Sequence, residues 1–175
     1  MVVEDLIIAI TITAIVIRIL YVVHRSSKPL SIPTPQPIST LIVLGSGGHT
    51  AEMLNLVSLL QKDRFTPRFY IAASTDNMSA GEVTEPAQFM QIYRSREILC
   101  NGPGTCIPLC VAGFLFKVVG IQWSSIFYVE SIARVRRISL SGLLLYKLCI
   151  ADQFFVQWSQ LQRKYPNAHS VGCLM

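Results

Sequence analysis

The sequence predicts an α/β fold, a single lobe on a parallel sheet, carried behind an N-terminal membrane-spanning helix. Three observations predict it. Leu6 to Val23 is an almost unbroken apolar stretch at the lower length limit for crossing a bilayer. A buried-type strand, Thr40–Leu44, runs straight into the glycine turn Gly45-Ser46-Gly47-Gly48 and then into an amphipathic segment. A second apolar run, Phe69–Ala73, completes a βαβ unit, whose strands must be parallel and whose crossover is right-handed.

Composition bounds the rest. A chain of 175 residues suits one domain with an appendage. Half of it is hydrophobic (51%) and only 14% is charged, so part of the surface meets lipid or a partner. The net charge of +5 favours an anionic surface. No Lys/Arg stripe with interleaved aromatics is present, so nucleic acid is not an expected partner. The five cysteines (Cys100, Cys106, Cys110, Cys149, Cys173) are odd in number. Apolar surroundings at Cys110 and Cys149 suit reduced thiols in a cytosolic domain. Cys106 and Cys110 have no second pair at zinc-ligand spacing, so no metal is expected.

Thr11, Thr13 and Arg18 alone interrupt the first apolar stretch. The threonine hydroxyls can bond back to helix carbonyls, and Arg18 can snorkel to the interface beside Tyr21. Glu4 and Asp5 precede the stretch, and His24, Arg25 and Lys28 follow it. A cleavable signal would want the opposite order of charge and a small-residue cleavage site. The positive-inside rule places the N-terminus in the lumen and the remainder in the cytosol. A helix lying in the interface and a buried helix are the alternatives. The expected divisions are an anchor over 1–25, a linker over 26–39 and a cytosolic domain over 40–175. Pro29, Pro33, Pro35 and Pro37 make the linker an extended spacer.

Within the domain, a helix is expected from Thr50 to Lys62. Thr50 serves as its N-cap, Glu52 suits its first turn, and Met53, Leu56, Val57 and Leu60 form one buried face. The second strand ends at Ser74-Thr75-Asp76, and Phe89–Tyr93 reads as a third. Ile98-Leu99-Cys100 leads into a second turn, Asn101-Gly102-Pro103-Gly104-Thr105, and then into an apolar helix from Cys106 to about Val119. Trp123–Val129 is a strand delivering Glu130 and Ser131 to the carboxyl edge of the sheet, where ligands of such sheets bind. Arg134, Arg136 and Arg137 lie in the following loop, suited equally to lipid phosphates or to solvent. A helix over Ser139–Cys149, a strand over Phe154–Gln157 and a helical turn over Leu161–Tyr165 follow. Val171, Cys173, Leu174 and Met175 form an apolar end suited to a core or a partner.

The first glycine turn has the form of an anion cradle. Glycines let the backbone approach a ligand closely, and the helix start offers free N–H groups with the positive dipole end behind them. A P-loop needs a Lys-Ser/Thr pair where His49-Thr50 stands. A dinucleotide fingerprint needs a third glycine where Thr50 stands and an acid about 20 residues on, whereas Asp76 lies 26 beyond. Diphosphate or sugar-phosphate binding by Gly45, Ser46, Gly47, Gly48, His49 and Thr50 is what remains. His49 is open to three roles: a structural residue, a phosphate contact, or a general base drawing a proton from an attacking hydroxyl. Asn101, Gly102, Gly104 and Thr105 are candidates for shaping a substrate, or form a tight turn only. Glu130 is a candidate acceptor for sugar hydroxyls, or a solvated or Arg-paired carboxylate.

Gly45-Ser46-Gly47-Gly48-His49-Thr50-Ala51-Glu52-Met53, Asp76-Asn77-Met78-Ser79, Asn101-Gly102-Pro103-Gly104-Thr105-Cys106, Tyr128-Val129-Glu130-Ser131 and Phe155-Val156-Gln157-Trp158 occur in this order. Together they resemble the asparagine-linked glycosylation fourteen family over nearly the whole chain. The resemblance implies a Rossmann-like lobe equivalent to the N-terminal half of a GT-B glycosyltransferase. It implies the membrane-anchoring, non-autonomous subunit of the transferase that adds the second GlcNAc to dolichol-diphosphate-GlcNAc. The partner would be a thirteen-family catalytic subunit carrying the UDP-GlcNAc site, met on the cytosolic face of the endoplasmic reticulum. No cofactor is implied, and the chain alone is expected to be inactive. A scaffold without substrate contact and a membrane-bound NAD-dependent enzyme are the competing functions.

The sequence departs from the family pattern in one place. A helix and most of a strand that the family carries before Asn101 are missing, leaving seven residues between Tyr93 and Asn101. A parallel crossover needs a dozen or more. Ile98–Cys100 is therefore expected either to merge with the preceding strand or to leave the sheet one strand short.

Overall fold

The computed structural model describes residues 2–26, 37–45, 47–71, 95–102 and 104–172. The expected strand at Phe89–Tyr93, the strand end at Ser74–Asp76, the segment Asp76–Ser79, most of the Pro-rich linker, and Ser46, Pro103, Cys173, Leu174 and Met175 lie outside these residues.

The long apolar stretch is helix α1, Val2–Ser26. Thr11 and Thr13 donate to the carbonyls of Ile7 and Ala9, each at 2.8 Å, so neither hydroxyl is left bare on an apolar surface. Strand β1 (Thr40–Val43) leads to helix α2 (Gly48–Leu59) and strand β2 (Arg68–Ile71). Strand β3 (Glu97–Asn101), helix α3 (Cys106–Val119) and strand β4 (Ser125–Val129) follow. Helix α4 (Leu140–Lys147), strand β5 (Gln153–Val156), helix α5 (Ser159–Lys164) and the two-residue strand β6 (His169–Ser170) complete the chain.

All described pairings are parallel, and the sheet order is β2-β1-β3-β4-β5-β6. Successive residues of a strand face opposite sides, and the burial follows that rule. Leu41, Val43, Ile98, Cys100, Ile126 and Tyr128 meet α3 and α4 on one face. Ile42, Leu99 and Val129 meet Met53 and Val57 of α2 on the other. Beyond α2 this second face keeps a groove of about 310 Å³, lined by Leu56, Leu60, Phe65, Leu99, Phe127 and Phe155.

Ile98–Cys100 lies within β3, at the centre of the sheet, paired with β1 and β4. The described strand preceding β3 is β2, and the relation of β3 to the expected strand at Phe89–Tyr93 lies outside the described residues. Smaller differences have local causes. Helix α2 stops at Leu59 because Leu60 is already extended, at ψ 136°. Helix α4 stops at Lys147, and Cys149 turns outward in the left-handed region (φ 51°), exposed instead of surrounded by apolar residues.

Helix α3 has the bounds its apolar run predicts, ending at the left-handed Gly120 (φ 85°). Its one charged side chain, Lys117, is fully buried and forms an ion pair with Asp152. Asp152 also accepts from the amide of Ile126 at 2.6 Å. Burial lowers the Lys117 pKa, and the Asp152 carboxylate opposes that shift without cancelling it. Arg18, expected at the lipid interface, donates instead to the carbonyls of Val118 and Lys117, each at 3.1 Å. Helix α1 is therefore fastened to the C-terminal end of α3.

Asp152→Ala strands a buried ammonium, which costs roughly 3 kcal/mol or more. The unfolding midpoint of the variant should fall accordingly. Lys117→Met combined with Asp152→Asn should recover most of the loss, because it removes the charge and keeps an acceptor for Ile126. Thermal denaturation of the three proteins checks this.

Candidate functional site

Both glycine turns leave the carboxyl ends of adjacent strands, β1 and β3. The chain crosses to opposite sides of the sheet at this point, because α2 leads from β1 to one face and α3 leads from β3 to the other. Ligands of open parallel sheets occupy such a switch point.

In the first turn Gly45 is buried, while Gly47 and Gly48 are exposed at the mouth. Gly47 holds φ 57° and is the N-cap of α2 with no side chain capping the helix. The Thr50 amide instead donates to the Gly47 carbonyl at 3.0 Å. Thr50, expected as the N-cap, lies one turn inside. Its hydroxyl donates to the Gly45 carbonyl at 2.9 Å and closes the turn on itself.

In the second turn Asn101 and Gly102 are buried, and Gly104 and Thr105 are exposed. Gly102 holds φ 61°, and a Cβ there would lie 2.9 Å from both Cε1 and Nδ1 of His49. The imidazole thus packs flat against a glycine backbone, and the two turns touch through it. Tyr128 supports Gly102 from below, donating to its carbonyl at 3.2 Å. Burial and the nearby Glu130 push the Tyr128 hydroxyl pKa far up, so it remains a donor.

The residue that joins these parts is Glu52, one turn into α2 and 6% exposed. Its Oε2 accepts from Asn101 Nδ2 at 3.1 Å and lies 3.5 Å from His49 Nδ1. Its Oε1 accepts from Ser131 Oγ at 3.1 Å and from the amide of Ile132 at 2.8 Å. One carboxylate ties the helix of the first turn to the second turn and to the loop after β4. Two buried polar atoms beside it, His49 Nδ1 and Asn101 Oδ1, have no hydrogen-bond partner among the described residues. Unsatisfied buried atoms are uncommon and cluster where a ligand or water completes a site. The sequence marked Glu52 only as an acid in a first turn. Its one local signal is the i, i+3 spacing from His49.

Glu130 stands apart from this mouth. It is 1% exposed and turned beneath α4. Its Oε2 accepts from the amide and hydroxyl of Ser139, at 2.9 and 3.1 Å, and its Oε1 from the Ser131 amide at 3.2 Å. Ser139 in turn caps α4 through the Gly142 amide at 3.0 Å. Desolvation raises the Glu130 pKa against the pull of those donors and of Arg134. Arg134, Arg136 and Arg137 are exposed. Among the described residues no cluster of three or more metal-binding side chains occurs.

Fold and site together define an α/β protein whose two glycine turns meet at the sheet switch point, behind an apolar helix long enough to cross a membrane. The family model described as "Oligosaccharide biosynthesis protein Alg14 like" matches residues 40–98 and 87–174. The human UDP-N-acetylglucosamine transferase subunit ALG14 is 35% identical over 203 positions, covering 90% of this chain and 91% of the human one. The rat subunit is 38% identical, covering 78% and 83%. That of Yarrowia lipolytica is 32% identical, covering 92% and 93%. The chain belongs to the Alg14 family. An alignment of 203 positions exceeds this chain's 175 residues, so the human relative carries residues missing here. The two matched segments overlap at 87–98, at the start of β3. No solved structure matches the chain.

Two outcomes check the site's construction. Gly102→Ala should destabilise the chain by more than about 1 kcal/mol, because it combines a positive φ with a collision at His49. Gly104→Ala, with nothing within 4 Å of the added Cβ, should change stability by much less; unfolding midpoints compare the two. Burial makes folded Glu130 hold its proton more tightly than the unfolded chain, where the pKa is near 4.5. The stability of the wild-type chain relative to Glu130→Gln should therefore fall as pH rises from about 4.5 toward neutrality. Denaturation of both proteins across that range reads the difference directly.

Proposed function

We propose that this chain is the membrane-anchoring subunit of a UDP-N-acetylglucosamine transferase, inactive alone, that presents the lipid acceptor to a separate catalytic subunit. The observation that carries the reading is the meeting of both glycine turns around His49 at the start of α2, with the buried Asn101 Oδ1 unsatisfied beneath. Such a mouth suits a diphosphate with a sugar attached. Gly45, Ser46, Gly47, Gly48 and Thr50 form the diphosphate cradle, and His49 is the general base toward the acceptor hydroxyl. Asn101, Gly102, Gly104 and Thr105 shape the sugar side, and Glu130 fixes that shape through α4. The acceptor is dolichol-diphosphate-GlcNAc, and the partner is the thirteen-family subunit that holds UDP-GlcNAc.

Helix α1 supplies the anchor, with Glu4 and Asp5 at one end and His24 and Arg25 at the other. That asymmetry supports a luminal N-terminus and a lobe on the cytosolic face of the endoplasmic reticulum. Residues 1–25, 26–39 and 40–175 serve as anchor, linker and acceptor-binding domain. A single α/β lobe needs a second one to enclose a nucleotide-sugar, which the catalytic subunit provides.

The test is GlcNAc transfer from UDP-GlcNAc to a dolichol-diphosphate-GlcNAc analogue, with the chain alone and with the catalytic subunit. Activity is expected only for the pair. His49→Ala should lower turnover by about 100-fold or more, the scale of general-base catalysis, while co-sedimentation with membranes stays unchanged. Undiminished turnover would remove His49 from the chemistry, and transfer by the chain alone would overturn the reading.

A further inference from the structure

We infer that Glu52 is a positioning residue for His49, holding the imidazole with Nδ1 inward and Nε2 outward as the proton-accepting nitrogen. This deepens the proposed function and rests on the reading of His49 as the base. The imidazole has two unlike edges. Its Nδ1 is buried, packed over Gly102 and 3.5 Å from Glu52 Oε2. The ring as a whole is 36% exposed, and its open side faces the mouth. Glu52 is the carboxylate within ion-pair range of Nδ1 among the described residues. A proton on Nδ1 points at the carboxylate, which leaves the lone pair on Nε2 for a ligand.

The carboxylate is itself held still. Asn101 Nδ2, Ser131 Oγ and the Ile132 amide donate to it from two different loops. Glu52 therefore cannot swing away from His49 without breaking three hydrogen bonds. An oriented base works better than a free one because its geometry is set before reaction. The separation of 3.5 Å is long for a hydrogen bond, as catalytic contacts often are before substrate binds. In the transfer, the acceptor hydroxyl gives its proton to Nε2 while its oxygen bonds to the anomeric carbon of the donor sugar. The nucleoside diphosphate departs with the electron pair of the broken bond. Glu52 keeps the Nδ1 proton in place and stabilises the positive charge the ring acquires.

The test is a double-mutant cycle in the complex of the full chain with its catalytic subunit, with kcat and acceptor KM measured for each protein. Glu52→Gln keeps an oxygen for Ser131 and Ile132. Its amide can donate to Asn101 Oδ1 once the Asn101 amide flips. The brace therefore survives, while the acceptor for His49 Nδ1 is lost. Glu52→Gln should lower kcat by about tenfold or more with acceptor KM changed by less than about threefold. In the His49→Ala background, Glu52→Gln should cost nothing further.

If His49→Ala is impaired while Glu52→Gln matches wild type, or if the two losses multiply, the positioning role is overturned and the base reading stands. If His49→Ala matches wild type, both fall. Should Glu52→Gln fail to co-purify with the catalytic subunit, Glu52→Asp takes its place in the cycle. It keeps the carboxylate but withdraws it from His49 by one methylene, and the same equality of single and double variants is required.

Discussion

Glu52 lies beneath segments that leave three different strands, and its two oxygens accept from two of them while facing the imidazole of the third. An ionisable side chain this buried is costly unless its lone pairs are matched by donors. Here the matching donors are the site itself: Asn101 from the second glycine turn, and Ser131 with Ile132 from the loop after β4. The cost of burying the acid is thereby converted into a fixed arrangement of the sheet's working edge. His49 inherits its position from the same contact, with Gly102 packed against its Nδ1 and Cε1.

That edge depends on the central strand. β3 hydrogen-bonds to β1 and β4 along its whole length, with Leu41 opposite Ile98 and Cys100 opposite Tyr128. Pairing by register carries Val43 and Cys100 to the same height, so the two glycine turns emerge side by side. A slip of one residue would turn every side chain of β3 to the wrong face. β3 keeps both neighbours, so Asn101 and Gly102 are held by pairing on either side.

Much of the fold is legible in the sequence because it is written in local terms. The apolar run after Cys106 ends at Gly120, the residue type that a left-handed helix end demands, so α3 has its expected bounds. The strand-turn-helix of β1 and α2 is visible in Thr40–Leu44 followed by three glycines. The second turn could be seen, but not that it folds against the first. Glu52 reaches partners 49, 79 and 80 residues away, and no periodicity records such contacts. Glu130 misled in the other direction. A carboxylate at a strand end reads as exposed, whereas the serines at 131 and 139 draw it under α4.

Arg18 shows how the same kind of distant pairing joins the anchor to the lobe. A guanidinium within an apolar helix is expensive in hydrocarbon unless it snorkels or finds a partner. The carbonyls that end α3 are unsatisfied acceptors at the negative end of a helix dipole. Arg18 answers both needs, 99 and 100 residues away in sequence. The contact is reinforced nearby. Tyr21 meets Trp123 edge-on at 6.4 Å, the Arg25 guanidinium lies 4.9 Å from the same indole, and Val22 is fully buried. Lys117 Nζ lies 5.7 Å from the centre of the same indole while its charge is held by Asp152 at the entry to β5. A continuous set of contacts therefore runs from α1 through the end of α3 to the start of β5. The lobe is braced on its anchor through α3 and not through the Pro-rich residues alone, so the orientation of the sheet relative to α1 is set by packed side chains. In a membrane-anchoring subunit, that fixed orientation sets the height of the sheet's carboxyl edge relative to α1.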